Sequence, residues 1–148
     1  MENTQVLLKK RPDGMPKADD FEVVRTAVTG PAEGEALIQN LYISLDAGFR
    51  NWMDADAGDE VLPAMPLGQP VMGLTVGRVQ ASRHQTLKEG DLVMGRLAWE
   101  SHSLASDDFL VVLEDIDDDI PEHYHLGILG DTGMSAYFGL TDIGQPQP

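Results

Sequence analysis

A chain of 148 residues, 42% of them hydrophobic, suits one compact domain able to bury a core. A formal net charge of −15 argues against nucleic acid and against an anionic membrane surface, because both recruit clustered cations. The absence of cysteine removes disulfides and thiolate zinc sites, and no apolar run approaches the roughly 18 residues of a membrane span.

Taken in chain order, Gln5 to Leu8 is a short apolar run stopped by Lys9, Lys10, Arg11 and Pro12, which predicts a strand and a turn. Phe21 to Val28 is β-branched and partly alternating, a second strand. Ala36 to Ser44 is a third. The Gly30-Pro31 and Glu33-Gly34 punctuation between them predicts that the second and third strands pair antiparallel. Asp46 to Met53 lacks alternation and predicts a loop with one helical turn. Residues 54–70, rich in acids and proline, predict an excursion over the surface. Strand character returns from Val71 to Gln80, with Gly73 and Gly77 inside it, the kind of glycine that marks a bulge or a close backbone approach. Further strands are expected over Leu92–Leu97, after the Glu89-Gly90-Asp91 turn, and over Phe109–Leu113. Pro121 to Leu129 predicts a short helix. Met134, Tyr137, Phe138 and Thr141 fall at helical spacing before Gly144, a plausible cap. Many short strands followed by one or two helices fit a small, partly open β-barrel with helical additions.

Four separated segments carry a family resemblance. Thr132 to Gly144 resembles the Gly-Met-Pro-Gly and Thr-Ala-Tyr-Phe-Gly-Leu segment of zinc-free medium-chain reductases. Asn40 to Asp46 is similar to their Asn-Leu-Tyr-Leu-Ser-Val-Asp. Ala81-Ser82-Arg83-His84 with Lys88 to Gly95, and the opening Gln5 to Pro12, fit the same subgroup, that of prostaglandin reductase, leukotriene hydroxydehydrogenase and curcumin reductase-like enzymes. The resemblance covers essentially the whole chain. It implies a GroES-like domain on the substrate side of the enzyme, NADPH as cofactor, and a Rossmann domain following Pro148. It also implies that homodimerisation uses that following domain. No Gly-rich dinucleotide fingerprint occurs here, and no Lys or Arg follows Arg96 while acids continue to Asp142, so the pyrophosphate grip is expected outside these residues. A cytoplasmic location is expected, the opening Met1 to Gln5 lacking the form of a signal peptide.

The implied chemistry is reduction of an activated C=C bond in a small-molecule substrate, an enone, alkenal or quinone-like compound, by metal-free hydride transfer. Gly68-Gln69-Pro70 stands where a zinc relative carries Gly-His-Glu, and the cysteine ligand is missing. By resemblance, Ser135 would orient the nicotinamide carboxamide and Met134 would wall its ring; a backbone-bonded hydroxyl and an ordinary core methionine are the alternatives. Arg50, between Phe49 and Trp52, is a candidate for a substrate carboxylate or cofactor phosphate, with a surface ion pair as the alternative. Ala47-Gly48-Phe49-Arg50 replaces the family's Pro-Tyr-Met-Arg, so the family's pocket-lining tyrosine is absent. Tyr42 and Tyr137 offer phenols, but the family's proton-handling tyrosine belongs to the following domain. His123 and His125 have strand spacing that could present two imidazoles, though their context favours exposed histidines. Asp115 to Asp119 lacks the glycine and glutamate of a calcium loop and reads as a solvated acidic stretch. Two other functions fit the same fold: a non-enzymatic binding or oligomerisation module, and a nucleotide-sensing relative of the reductases.

Overall fold

A computed structural model describes residues 1–58, 63–106, 110–114 and 119–147. Strands β1 (Glu2–Leu8) and β2 (Phe21–Ala27) form an antiparallel pair. A second, five-stranded antiparallel sheet runs in the order β6-β3-β4-β5-β7, with β3 at Ala36–Ile43, β4 at Met72–Ser82, β5 at Leu92–Ala98, β6 at His102–Ala105 and β7 at Val111–Val112. Helix α1, Asp131–Phe138, continues as a π-helical turn over Gly139–Gly144. It ends at Gln145, not Gly144, with Gln145 in the left-handed conformation at φ 41°.

The expected pairing of the second strand with the third is overturned: β2 pairs with β1. The cause is local. Asp20, buried at the start of β2, accepts the Lys17 N–H on its carboxylate at 2.7 Å. Its carbonyl accepts the N–H groups of Lys9 and Lys10, which folds the chain back on β1. Beyond β2, Gly34 adopts φ +82° and the chain then exchanges backbone bonds with Arg83, from Gly34 N to Arg83 O at 3.0 Å and from Arg83 N to Glu35 O at 2.8 Å, so β3 starts against β4.

The two sheets are not closed by a continuous ladder. They are stitched along β1, where Val6 N–H donates to Trp99 O at 2.8 Å, Val71 N–H to Val6 O at 2.9 Å and Leu8 N–H to Gln69 O at 2.9 Å. This is the expected mainly-β, partly open architecture. One core lies within the large sheet, around Ile38, Val79, Leu87 and Val93. The other lies between the sheets, where Leu8, Met53, Met65 and Val71 are buried beneath Phe21, Trp52 and Trp99.

The 54–70 segment is less of a surface excursion than its composition suggests. Met65 is 2% exposed and its N–H donates to Trp52 O at 2.7 Å; residues 59–62 lie outside the described residues. Strand β6 has no clear counterpart in the sequence pattern, because its two inward residues are the polar Ser103 and the small Ala105, while Leu104 between them is exposed. The strand expected over Phe109–Leu113 shortens to Val111–Val112, with Phe109 outside the described residues, as are four of the five positions of the acidic stretch, 115–118.

Candidate functional site

Immediately after β3, Asp46 is extended, and its carbonyl accepts the Phe49 N–H at 3.1 Å to open a 3-10 helix over Ala47–Met53. Three residues per turn bring positions i and i+3 onto one face. Phe49 and Trp52 therefore meet, ring centroids 5.2 Å apart and planes tilted by 59°. Together with Gly48 and Asp46 they form one wall of a cleft of about 500 Å³. Leu74 of β4, Met94, Gly95 and Arg96 of β5 and Val111 of β7 form the floor and second wall. Leu126, from a 3-10 helix at Glu122–Leu126, and Asp131 and Thr132, opening α1, complete it.

The start of α1 is fixed by close approach. A Cβ on Gly133 would overlap the Ile128 carbonyl, and one on Gly130 would overlap that of His125, so only glycine fits either place. Thr132 Oγ1 donates to Gly127 O at 3.0 Å, setting Thr132 at the cleft. The helix at Glu122–Leu126 is held against β4 by an ion pair between Glu122 and Arg78, and against β3 by packing of His123 on Tyr42, centroids 5.4 Å apart.

Of the sequence-predicted residues, Phe49 lines the cleft. Arg50 does not. Its Nε donates to Gly14 O at 3.0 Å, its Nη2 to Pro12 O at 3.0 Å, and its Nη1 pairs with Asp54 at 2.8 Å. Arg11 reinforces the contact through Met53 O at 2.6 Å. Arg50 thus rivets the loop after β1 to the segment that carries Phe49 and Trp52. Met134 and Ser135 lie on α1, exposed, just beyond Thr132 and outside the cleft lining. The Ser135 hydroxyl makes no hydrogen bond among the described residues, unlike Thr141, whose Oγ1 donates to Tyr137 O at 2.8 Å. Tyr137 is exposed and packs edge-on against Phe138. Among the described residues no three His, Cys, Asp or Glu side chains are grouped to hold a metal, and His125 Nε2 is buried without a partner. No helix among them is long and apolar enough to cross a membrane.

Sequence reasoning missed Trp52, Leu74, Met94, Asp131 and Thr132 as cleft residues. Trp52 stands three positions after Phe49, which is a usable signal once the 3-10 turn is recognised. Leu74 and Met94 read as ordinary strand residues, and only the sheet order brings them together.

A family described as the N-terminal domain of oxidoreductase matches residues 4–113. The chain belongs to that family. Among curated relatives, the NADPH-dependent curcumin reductase of Escherichia coli is 36% identical over 147 residues, covering 98% of this chain and 41% of the relative. The NADP(+)-dependent 2-alkenal reductase of Nicotiana tabacum is 32% identical, covering 98% and 43%. The crystal structure of CurA in complex with NADPH from Vibrio vulnificus superposes with a TM-score of 0.80 at 32% identity, covering 97% of this chain and 42% of that one. The chain spans about two fifths of the length of these relatives. It is an N-terminal oxidoreductase domain of the medium-chain reductase type, and its matched region contains every cleft residue except Leu126, Asp131 and Thr132.

Proposed function

We propose that this chain is the substrate-side domain of an NADPH-dependent oxidoreductase that reduces an activated C=C bond of a small molecule without a metal. The observation that carries the reading is the cleft itself. Two aromatic rings and the side chains of Leu74 and Met94 enclose it, and it ends at Thr132 on the turn from which Met134 and Ser135 project. The relatives named above support it, their names declaring NADPH- or NADP(+)-dependent reduction of curcumin and of 2-alkenals.

The residues present do not fit the phosphates of the cofactor. Asp131 occupies the first turn of α1, where a phosphate would otherwise be favoured by the helix dipole. Of the chain's ten Lys and Arg residues, Arg96 alone lines the cleft among the described residues. In this reading the dinucleotide is gripped by a following domain, and this domain contributes only the edge met by Met134 and Ser135. When bound, the cofactor supplies the hydride; a proton from solvent or from the following domain balances the reduction. This chain's part is to hold the alkene between Phe49, Trp52 and Met94 and to keep water from it, which raises the effective concentration of reactants.

The test is turnover by a form of the protein extended by its following domain. Loss of reduced-nicotinamide absorbance with an aryl enone, an alkenal or a quinone is the expected result. No turnover with any of the three, in a preparation that binds NADPH, would overturn the reading and favour a nucleotide-sensing role.

A further inference from the structure

We propose that the cleft selects an uncharged, flat, conjugated group and discriminates against ligands that carry a carboxylate. The assignment rests on the substrate-side reading above and adds to it the charge class of the ligand. Phe49 and Trp52 set the shape of the cleft. Tilted at 59°, the two rings offer π surface to a flat group, against apolar flanks from Leu74 and Met94. Gly48 keeps the wall beside Phe49 open, since a Cβ there would meet nothing within 4 Å.

Charge in the cleft is set by which ions reach it and which do not. Asp46 and Asp131 both line it. Arg96 is the only Lys or Arg that lines it among the described residues, and Arg96 already has a partner. Arg50, one residue from Phe49, is bound by three protein oxygens, those of Pro12, Gly14 and Asp54, so it is not available to a ligand carboxylate. Beyond Arg96 the sequence supplies no further Lys or Arg. Fixed negative charge in a cleft with apolar walls sets up a field that repels an anion before it docks.

The experiment uses residues 1–148 and two probes, 4-phenyl-3-buten-2-one and its para-carboxylate. The readout is the indole N–H signals of Trp52 and Trp99, the only two tryptophans, in nitrogen–proton correlation spectra. The neutral probe is expected to move Trp52 and leave Trp99 in place. At low salt the carboxylate is expected to bind at least about threefold more weakly, and the preference should vanish in 1 M salt, where the Debye length is about 3 Å. The double variant Asp46→Asn with Asp131→Asn should also abolish it. Should that variant not fold, Asp131→Asn alone, on an exposed first turn, should reduce the preference. Equal or tighter binding of the carboxylate at low salt overturns the proposal, as does a shift of Trp99 rather than Trp52, or binding of neither probe. Because binding is read without turnover, failure of the extended protein to reduce enones would overturn the oxidoreductase reading while leaving this preference standing.

Discussion

Arg50 illustrates how a residue beside a cleft can shape it without lining it. Its guanidinium joins two backbone carbonyls, Pro12 O and Gly14 O, to Asp54 through three separate nitrogens, and the single nitrogen of a lysine lacks the planar fork that spans them. Arg50→Gln should lower stability by roughly 1–2 kcal/mol, discounted for the partial exposure of the ion pair. It should also weaken binding of a neutral aryl probe at Trp52, and Arg50→Lys should restore only part of either. Chemical denaturation and the same spectra check this. Asp20 acts at the other end of that loop. The Lys17 N–H that it accepts holds its carboxyl below the usual value of 3.8, against an opposing effect of burial, with Lys10 assisting at 3.4 Å. A carboxylate lowered in the folded state stabilises fully above its unfolded value and loses that contribution as pH falls through the lowered one. The denaturation midpoint should therefore fall with acid below about pH 4 in the native protein. In Asp20→Asn it should start lower and fall less over the same range.

At the level of elements, the glycines separate into positions of close approach and positions of open space. A Cβ at Gly77 would lie 2.5 Å from Ile38 Cγ2 and 2.8 Å from Gln39 O, beside the register shift between β3 and β4. Gly77→Ala should cost about 1–3 kcal/mol through overpacking of backbone that cannot move aside. Gly48→Ala, with nothing within 4 Å and no positive φ, should be neutral or stabilising by up to about 1 kcal/mol. A pair of thermal melts distinguishes the two. The sequence showed Gly77 as an anomaly within a strand but not what it approached. The same division runs through the fold. β1, β2, β3, β4 and β5 were legible from their apolar and β-branched runs and the turn residues that bound them, although their burial does not alternate: β2 has no buried residue, and Ala36 to Ile38 of β3 and Thr75 to Gly77 of β4 are buried in succession. The β1–β2 pairing was not, because it is decided by the hydrogen bonds of a buried carboxylate. Nor was β6, whose inward Ser103 is accommodated by Glu100 and Asn40, at 2.7 and 2.9 Å. Phe49 was legible as a candidate, and it lines the cleft; Arg50 was legible as unusual. That Arg50 faces the Pro12–Gly14 loop could not be known without the tertiary path of the chain.

The whole molecule presents two contrasting regions. Around the cleft it is built from strands that pack well and carries acids at the rim. At its end, α1 and the π-helical turn leave Met134, Tyr137, Phe138, Leu140 and Ile143 exposed, Met134 at 50% and Ile143 at 86%. Contiguous apolar exposure of that kind is characteristic of surface that is covered in a larger assembly. In the proposed enzyme the following domain covers it and brings the cofactor to the edge of the cleft. Labour is divided in the proposed enzyme: this domain shapes the substrate site, and the two carboxylates that line its otherwise mostly apolar cleft, Asp46 and Asp131, leave the dinucleotide to be held elsewhere. Calorimetric titration of NADPH into residues 1–148 alone tests that claim most directly. No saturable heat up to about 1 mM cofactor is the predicted result; saturable binding at or below that concentration would contradict it.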